Sequence, residues 1–248
     1  MIEEDPHNEE EVIPKSNSSP APLSPSSSGA NDLGPEEIKE KEPEIPDFSK
    51  MYYANGDEPS MELVMKYAHL VPEECREDWI QFNTNSFKEH RAFLKHKDWT
   101  VHSKSKDNTL KLYSRVSKNN IFCMKSVALV REKMIDLIVA LCDNDLKLKY
   151  DETVESSQLI YRDLPFESSV SYTKYKKVLV ISPRDLIILG RIYKESDKNI
   201  YILAKSITLP SIPPVKNIVR AESPCSGWRL KQIDDGDPAT GKKPLVKI

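Results

Sequence analysis

The chain has 248 residues, which is room for one full domain with a tail or for two small domains. Its net charge of −3 hides an uneven distribution, because residues 1–50 carry 13 acidic and 4 basic side chains and the rest is net positive by 6. A positive surplus this small and scattered does not predict nucleic-acid binding. This surplus fits contact with an anionic membrane surface slightly better than it fits nucleic-acid binding, but an ordinary solvated surface explains it equally well.

Residues 1–58 are predicted to form a disordered, acidic tail that is rich in proline and serine. The first 50 residues contain eight prolines and too little apolar mass to offset the entropy of ordering. The tail is a candidate attachment point for a protein partner. Its acidic start does not resemble a signal peptide, and no apolar run reaches the about 20 residues that span a bilayer. We therefore expect a soluble cytoplasmic protein, with peripheral membrane contact left open.

The sequence offers little that points to catalysis. Its four cysteines form no C-x-x-C pair, which favours reduced thiols. His90, His96 and His102 do not have metal-binding spacing and are expected at the surface. The sequence contains neither a G-x-S-x-G motif nor a glycine-rich phosphate loop. We predict no catalytic residue, no metal site and no cofactor, and therefore a protein that is not an enzyme.

Helical spacing dominates the segment after the tail. Residues 60–71 have apolar side chains at helical intervals, Ser60 is a suitable N-cap, and Pro72 ends the pattern. A second helix is predicted over 73–95, with Trp79, Phe82 and Phe87 among its large apolar groups.

From residue 98 the apolar pattern changes to that of strands. Segments 99–101, 110–113 and 121–130 predict a meander of three strands, and 131–142 predicts a helix with an apolar stripe. Five further strands are predicted over 158–164, 170–180, 185–193, 199–209 and 216–233. Because helices and strands do not alternate, this order predicts an α+β domain with one antiparallel sheet that must bury one face.

Five short motifs, in this order, resemble the steroidogenic acute regulatory protein-related lipid transfer (START) domain. They are Leu-Lys-Leu-Tyr-Ser-Arg at 110–115, Leu-Lys-Leu-Lys-Tyr-Asp-Glu-Thr-Val at 146–154, Ser-Pro-Arg-Asp at 182–185, a strand ending in Ser at 202–206, and Val-Arg-Ala-Glu at 219–222 with Gly-Trp at 227–228. Tyr150 stands where the family pattern has Trp. The resemblance covers about residues 99–228, with the Trp79 helix as an N-terminal extension, so residues 59–248 are interpreted as one START-like domain.

The resemblance implies a helix-grip fold, in which a curved antiparallel sheet wraps around a long C-terminal helix. A single lipid, such as a sterol or phospholipid, would occupy the apolar tunnel between them and be exchanged at a membrane surface without covalent chemistry. The ligand's apolar area would be transferred from water at about 25 cal/mol per Å².

The sequence departs from the family pattern at two places. Family members often carry a tunnel-facing Arg five residues after the Asp of the corner, where this chain has Gly190. Strand alternation turns the next residue, Arg191, to the other face, so we assign no phosphate anchor. Residues 244–248 are expected to begin the family's last strand, which lies mid-sheet. The closing helix is missing from the sequence, which would leave the apolar face of the sheet exposed. We interpret the chain as a fragment or shortened isoform, and the alternative is that something else covers the sheet.

Strand alternation and side-chain chemistry suggest seven lipid-binding residues, for each of which ordinary core packing is the alternative. They are Tyr161, Tyr172, Tyr175, Leu186, Ile188, Gly190 and Leu203. Arg184 and Asp185 are interpreted instead as structural residues of the corner. Two functions remain open: a carrier or sensor of one lipid, and a START-derived interaction or regulatory module that no longer carries lipid.

Overall fold

The computed structural model describes residues 59–248, so the predicted disorder of residues 1–58 lies outside the described part. Its helices are α1 (Met61–Tyr67), α2 (Glu73–Lys95), α3 (Met134–Cys142) and α4 (Asn144–Tyr150), and a 3-10 turn (Ala68–Leu70) follows α1. The Ser60 hydroxyl accepts a hydrogen bond from the Leu63 amide at 3.2 Å, which confirms the predicted cap. The bounds of α2 agree with the prediction.

Ten strands form one sheet in the order β1-β2-β3-β10-β9-β7-β6-β5-β4, with β8 beside β6. They are β1 (Thr100–Lys104), β2 (Leu110–Val116), β3 (Phe122–Arg131), β4 (Val154–Leu164), β5 (Ser168–Tyr175), β6 (Arg184–Ser196), β7 (Asn199–Ser206), β8 (Val219–Arg220), β9 (Ser226–Asp234) and β10 (Leu245–Lys247). All pairings are antiparallel except the short parallel contact between β6 and β8. This α+β architecture confirms the predicted fold class, and β10 lies mid-sheet as expected. Within residues 59–248, no helix follows β10.

Two predicted strands differ from the structure, and one helix was not predicted. The strand predicted over 216–233 is two strands, β8 and β9, separated by a loop that contains Pro224. The strand predicted over 170–180 ends at Tyr175, and residues 178–181 form a turn instead. The short helix α4 was not predicted. The Asp143 carboxylate begins it by accepting hydrogen bonds from the amides of Asp145 and Leu146, each at 2.8 Å.

The larger core lies between α2 and one face of the sheet, called here the α2 face. Trp79 and Phe87 of α2 are fully buried against side chains of β6 and β7. The Phe87 ring stacks on Tyr193 with centroids 3.9 Å apart and meets the edge of Tyr201 at 5.0 Å. Burial of three aromatic rings makes this contact a principal stabilising feature of the sheet.

A smaller core lies on the opposite face, where α3 covers one part of the sheet. Met134 and Ile138 of α3 pack with Ile200, Leu230 and Val246. Helix α4 packs over β4 on the same face, where the Ser157 hydroxyl donates to the Asn144 side-chain oxygen at 2.8 Å. Between these two helices, half-buried apolar side chains of β6 stay accessible in the described residues. We call this uncovered part the open face.

Candidate functional site

Strand β6 shows most clearly how the two faces are divided. Its odd-numbered residues Ile187 and Leu189 are fully buried in the α2 core, whereas Leu186 and Ile188 are only half-buried. Successive side chains of a strand point to opposite faces, so Leu186, Ile188 and Gly190 lie together on the open face. This is the common face on which the sequence placed them.

The cross-strand register divides the seven predicted residues between the faces. Residues directly opposite in an antiparallel pair share a face. Tyr175 pairs with Arg184 of β6, so it joins the open face. Three predicted residues have partners on the α2 face instead; they are Tyr161 opposite Val170, Tyr172 opposite Ile187, and Leu203 opposite Arg191. The structure places the other four on the open face, and the role of all seven in lipid binding stays a prediction.

Leu203 shows why alternation within one strand was insufficient. It is 1% exposed in the α2 core, and its neighbours Ile202 and Ala204 lie on the opposite face, where Ile202 packs against the α3 core beside the open face. Trp228 lies opposite Ile202 and extends the same surface onto β9. Ile202, Ala204 and Trp228 are therefore candidate site residues that the sequence interpretation missed.

Two of the predicted tyrosines have structural partners. The Tyr161 hydroxyl donates to the Glu74 carboxylate, which also accepts from the Ser211 amide at 3.1 Å and hydroxyl at 2.8 Å. The hydrogen bond to Glu74 raises the pKa of Tyr161 to about 12, and the bonds from Tyr161 and Ser211 lower the pKa of Glu74. This group ties the start of α2 to β4 and to the loop after β7 rather than to a ligand.

Tyr172 belongs to the Ser-Pro-Arg-Asp corner. Its hydroxyl donates to the Asp185 carboxylate at 3.0 Å, and Arg220 contacts the same carboxylate at 2.7 and 3.1 Å. Burial alone would raise the pKa of Asp185, but the hydrogen bonds from Arg220 and Tyr172 outweigh burial and lower this pKa. Both carboxylate oxygens are occupied, so Asp185 holds the corner to β8 and has a structural role.

Arg191 lies on the α2 face. It is 2% exposed, and its guanidinium lies 5.4 Å from the Phe166 ring centroid and 5.1 Å from that of Tyr193. Such stacking is a favourable environment for a buried guanidinium.

Because Arg191 lies on the α2 face, it cannot replace the Arg that the family pattern carries at position 190. Gly190 leaves the open face without a cation at that position. A Cβ on Gly190 would meet only the Leu203 carbonyl oxygen, at 3.6 Å.

A cleft of about 650 Å³ lies against the open face, where β5 ends. Tyr175 and Trp228 contribute aromatic surface from the sheet, and Leu141 and Tyr150 contribute apolar surface from α3 and α4. The Lys147 ammonium donates to the Tyr175 hydroxyl at 3.3 Å, which leaves the Tyr175 proton free to donate to a ligand. Lys147, Asp151 and Glu152 complete the lining, so the cleft combines apolar and charged surface. This combination suits an amphipathic ligand with a hydrocarbon part and a polar group.

A second cleft, of about 890 Å³, separates β3 from β9. The three-residue strand β10 joins these strands at one end only, and beyond it they diverge. His90 lines this cleft and is 3% exposed, so its predicted surface position was wrong. Burial lowers the pKa of His90 to about 4, and its Nδ1 lies 3.8 Å from the Cys225 sulfur. In residues 59–248, no three His, Cys, Asp or Glu groups converge as metal ligands.

Comparisons with known proteins agree with this geometry. A family model for the START domain matches residues 80–240. The crystal structure of human STARD10 aligns with a TM-score of 0.55 at 18% identity, over 71% of this chain and 66% of that one. Human StAR-related lipid transfer protein 5 aligns with a TM-score of 0.54 at 17% identity, over 76% of this chain and 81% of that one. At identities this low, the structural alignments establish a shared fold and nothing more. No curated protein sequence matches the chain.

None of the helices between residues 59 and 248 combines the length and apolarity needed to cross a bilayer.

Proposed function

Since the chain belongs to the START-domain family, we propose that it binds a single lipid molecule, a sterol or a phospholipid, on the open face. START domains are in general lipid-binding and non-enzymatic, and the fold relative named a lipid transfer protein supports a role in lipid transfer. Exchange of the lipid would take place during transient contact with a membrane surface.

The observation that carries this proposal is the uncovered apolar surface beside the 650 Å³ cleft. Leu186 and Ile188 remain half-buried there, and Trp228 is 41% exposed. A bound lipid would remove this surface and its own hydrocarbon from water together, at about 25 cal/mol per Å². Tyr175 and Lys147 would supply the polar contact to its hydroxyl or headgroup.

Native mass spectrometry of protein purified from lipid-rich cells tests the proposal. Wild type should carry one lipid, whose mass identifies a sterol or a phospholipid. Gly190→Trp should lose this lipid because the indole occupies the open face, while Gly190→Ala, which adds only a methyl group, should keep it. Circular dichroism of both variants checks that the sheet has formed. An unliganded mass for wild type in every preparation would rule out the carrier function.

The cleft between β3 and β9 favours a second candidate, an interaction module that holds no lipid. The Ala128 amide and carbonyl both bond to Ile248, so alternation directs the backbone groups of Met124 and Ser126 towards the cleft. An extended segment of a partner protein would find hydrogen-bonding edges there. Under this alternative, affinity-captured partners should be lost in Ser126→Pro, which removes one edge amide. A monodisperse monomer without specific partners would argue against it.

A further inference from the structure

The 890 Å³ cleft lies within the sheet, in line with β10. Because β10 pairs with both β3 and β9, these two strands are two strand spacings apart there, about 10 Å, which is room for one strand. On the β3 side, the backbone groups of Met124 and Ser126 point into the cleft, since the neighbouring Ala128 bonds to Ile248 of β10. Residues 122–127 border the cleft beyond β10 and provide about 20 Å of strand edge.

The β9 side of the cleft has a similar edge. The Gln232 amide donates to the Lys198 carbonyl at 2.9 Å, so the even-numbered residues of β9 direct their backbone groups towards β7. Gly227 and Arg229 direct theirs towards the cleft, where no strand of the described chain pairs with them. Two such edges can satisfy both sides of one extended peptide. A hydrocarbon chain would leave these backbone groups unpaired, so it is a poorer occupant.

Basic side chains line the cleft on the α2 face. Val246 packs in the α3 core, so alternation turns its neighbour Lys247 to the α2 face, and Lys231 lies opposite Lys247. Lys125 reaches the Leu94 carbonyl of α2 at 3.5 Å. Together with one arginine, the basic lining residues are Lys125, Arg229, Lys231 and Lys247.

These positive charges lack a counterion among residues 59–248. Arg229 lies over Tyr201 of the α2 core, 5.5 Å from its ring centroid. Burial and the nearby charge of Lys247 lower the pKa of Lys125. None of the four basic residues forms an ion pair with a described residue, and Glu222 is the one acidic side chain in the described lining. A bound segment that carries carboxylates would supply the complementary charge.

The other side of the cleft is apolar. Phe122 and Met124 of β3 are 61% and 55% exposed. They share a face with Val130, which pairs with Val246 of the α3 core. Trp228 of β9 lines the cleft on the same side. An extended segment in the cleft would therefore direct every second side chain to the basic residues and the others to this apolar surface.

We propose that the 890 Å³ cleft binds an extended segment of a partner protein, about six residues long, in which acidic and apolar side chains alternate. The segment would run in the direction of β10, antiparallel to β3 and β9, and would draw these diverging strands together. The inference rests on the second candidate function, because it gives the partner of that module a chemistry. The native mass of the purified protein decides the carrier function by itself, so the two can fail separately.

Fluorescence anisotropy of the full chain with a labelled synthetic peptide, Val-Glu-Val-Glu-Val-Glu, tests the proposal. This peptide should bind about tenfold more tightly than Val-Val-Val-Glu-Glu-Glu, which has the same composition without the alternation. Hydrogen–deuterium exchange should show new protection of the Met124, Ser126, Gly227 and Arg229 amides in the complex, because they gain a strand partner. A purely electrostatic association would not protect them.

Charge reversal tests the role of the basic side chains. Lys231→Glu/Lys247→Glu changes two exposed residues and should weaken binding of the alternating peptide on the order of 30-fold, because two attractions become repulsions. The same variant should gain binding of Val-Lys-Val-Lys-Val-Lys. The matched control, Lys104→Glu/Lys216→Glu, makes the same change in net charge at exposed positions outside the cleft and should bind as wild type does. Circular dichroism checks that both variants are folded.

Three results would overturn the inference. They are equal binding of the alternating peptide and its rearranged form by wild type, equal loss of binding in the two charge variants, and binding without protection of the β3 and β9 amides. A specific partner that binds through a segment without alternating acidic residues would keep the second candidate function and remove this inference alone.

Discussion

The ion pair between Asp185 and Arg220 joins two of the sequence motifs, and it provides a direct test of the structural role assigned to them. The perturbation is Asp185→Asn, which keeps the shape of the side chain and removes its charge. Arg220 would then lose the negative charge of its partner and one of its two short contacts, at 2.7 and 3.1 Å, because an amide offers one oxygen in place of two. The Tyr172 hydroxyl, 3.0 Å from the same group, would keep only a neutral acceptor.

The expected cost follows from the burial of the pair. The Asp185 side chain is 1% exposed and that of Arg220 is 17% exposed. Breaking a buried pair from one side costs about 3–5 kcal/mol, because the remaining charge loses its compensation. Arg220 keeps hydrogen bonds to the Ile212 carbonyl at 3.2 Å and the Pro213 carbonyl at 3.4 Å. We therefore expect the lower end of this range, about 3 kcal/mol.

Urea unfolding followed by circular dichroism measures this loss, and Arg184→Gln is the matched control. Arg184 belongs to the same corner, but its Nε makes only a 3.5 Å contact with the Ser182 carbonyl, so its loss should stay within about 0.5 kcal/mol. In the double variant Asp185→Asn/Arg220→Gln, the two losses should be strongly non-additive. A loss below about 1 kcal/mol for Asp185→Asn, or additive losses, would refute the reasoning.

Two further predictions concern stability. Because the folded-state pKa of Asp185 is lowered, its contribution is present above the unfolded pKa of about 3.9 and declines as the pH falls through the folded value. Acid unfolding of Asp185→Asn should therefore start from a lower stability at pH 7 and show a weaker pH dependence below pH 4 than wild type, and parallel curves would contradict this. Phe87→Ala should cost about 3–5 kcal/mol in the same urea assay, because it empties a fully buried site against Tyr193 and Tyr201. The exposed Val116→Ala should cost little, and similar losses for the two would show that the α2 core is not what stabilises the sheet.

The features that depend only on the local sequence, such as the bounds of α2 and the shared face of residues in β6, were predictable. The apolar residues of α2 recur at helical spacing, and Pro72 directly precedes its first residue, so the bounds of α2 were predictable. Alternation likewise placed Leu186, Ile188 and Gly190 on one face. It could not place Tyr161 or Leu203, because the face of a strand relative to its neighbour depends on register. β4 shifts register between Leu159 and Tyr161, and nothing in the local sequence marks this irregularity.

The turn at residues 178–181 shows a different limit of sequence interpretation. Residues 178–180 are Val, Leu and Val, which is the composition of a strand, and residues 176–180 were predicted to extend β5. The turn that replaces them lacks the Gly or Asn that usually marks such positions, so its only signature is the strained backbone of Leu179. Helix α4 was missed because seven residues give too short an apolar pattern to distinguish from a loop.

The Ser-Pro-Arg-Asp corner is physically connected to the turn at residues 178–181. Only Ser182 and Pro183 separate this turn from β6, and the Pro183 carbonyl accepts a hydrogen bond from the Val219 amide at 3.0 Å. The Asp185 pair with Arg220 fixes the next residues of the same strand. These two contacts hold both ends of the corner to β8, so the motif fixes the base of the preceding turn. Because the Asp185 carboxylate is already occupied by Arg220 and Tyr172, the motif acts on the sheet and not on a ligand.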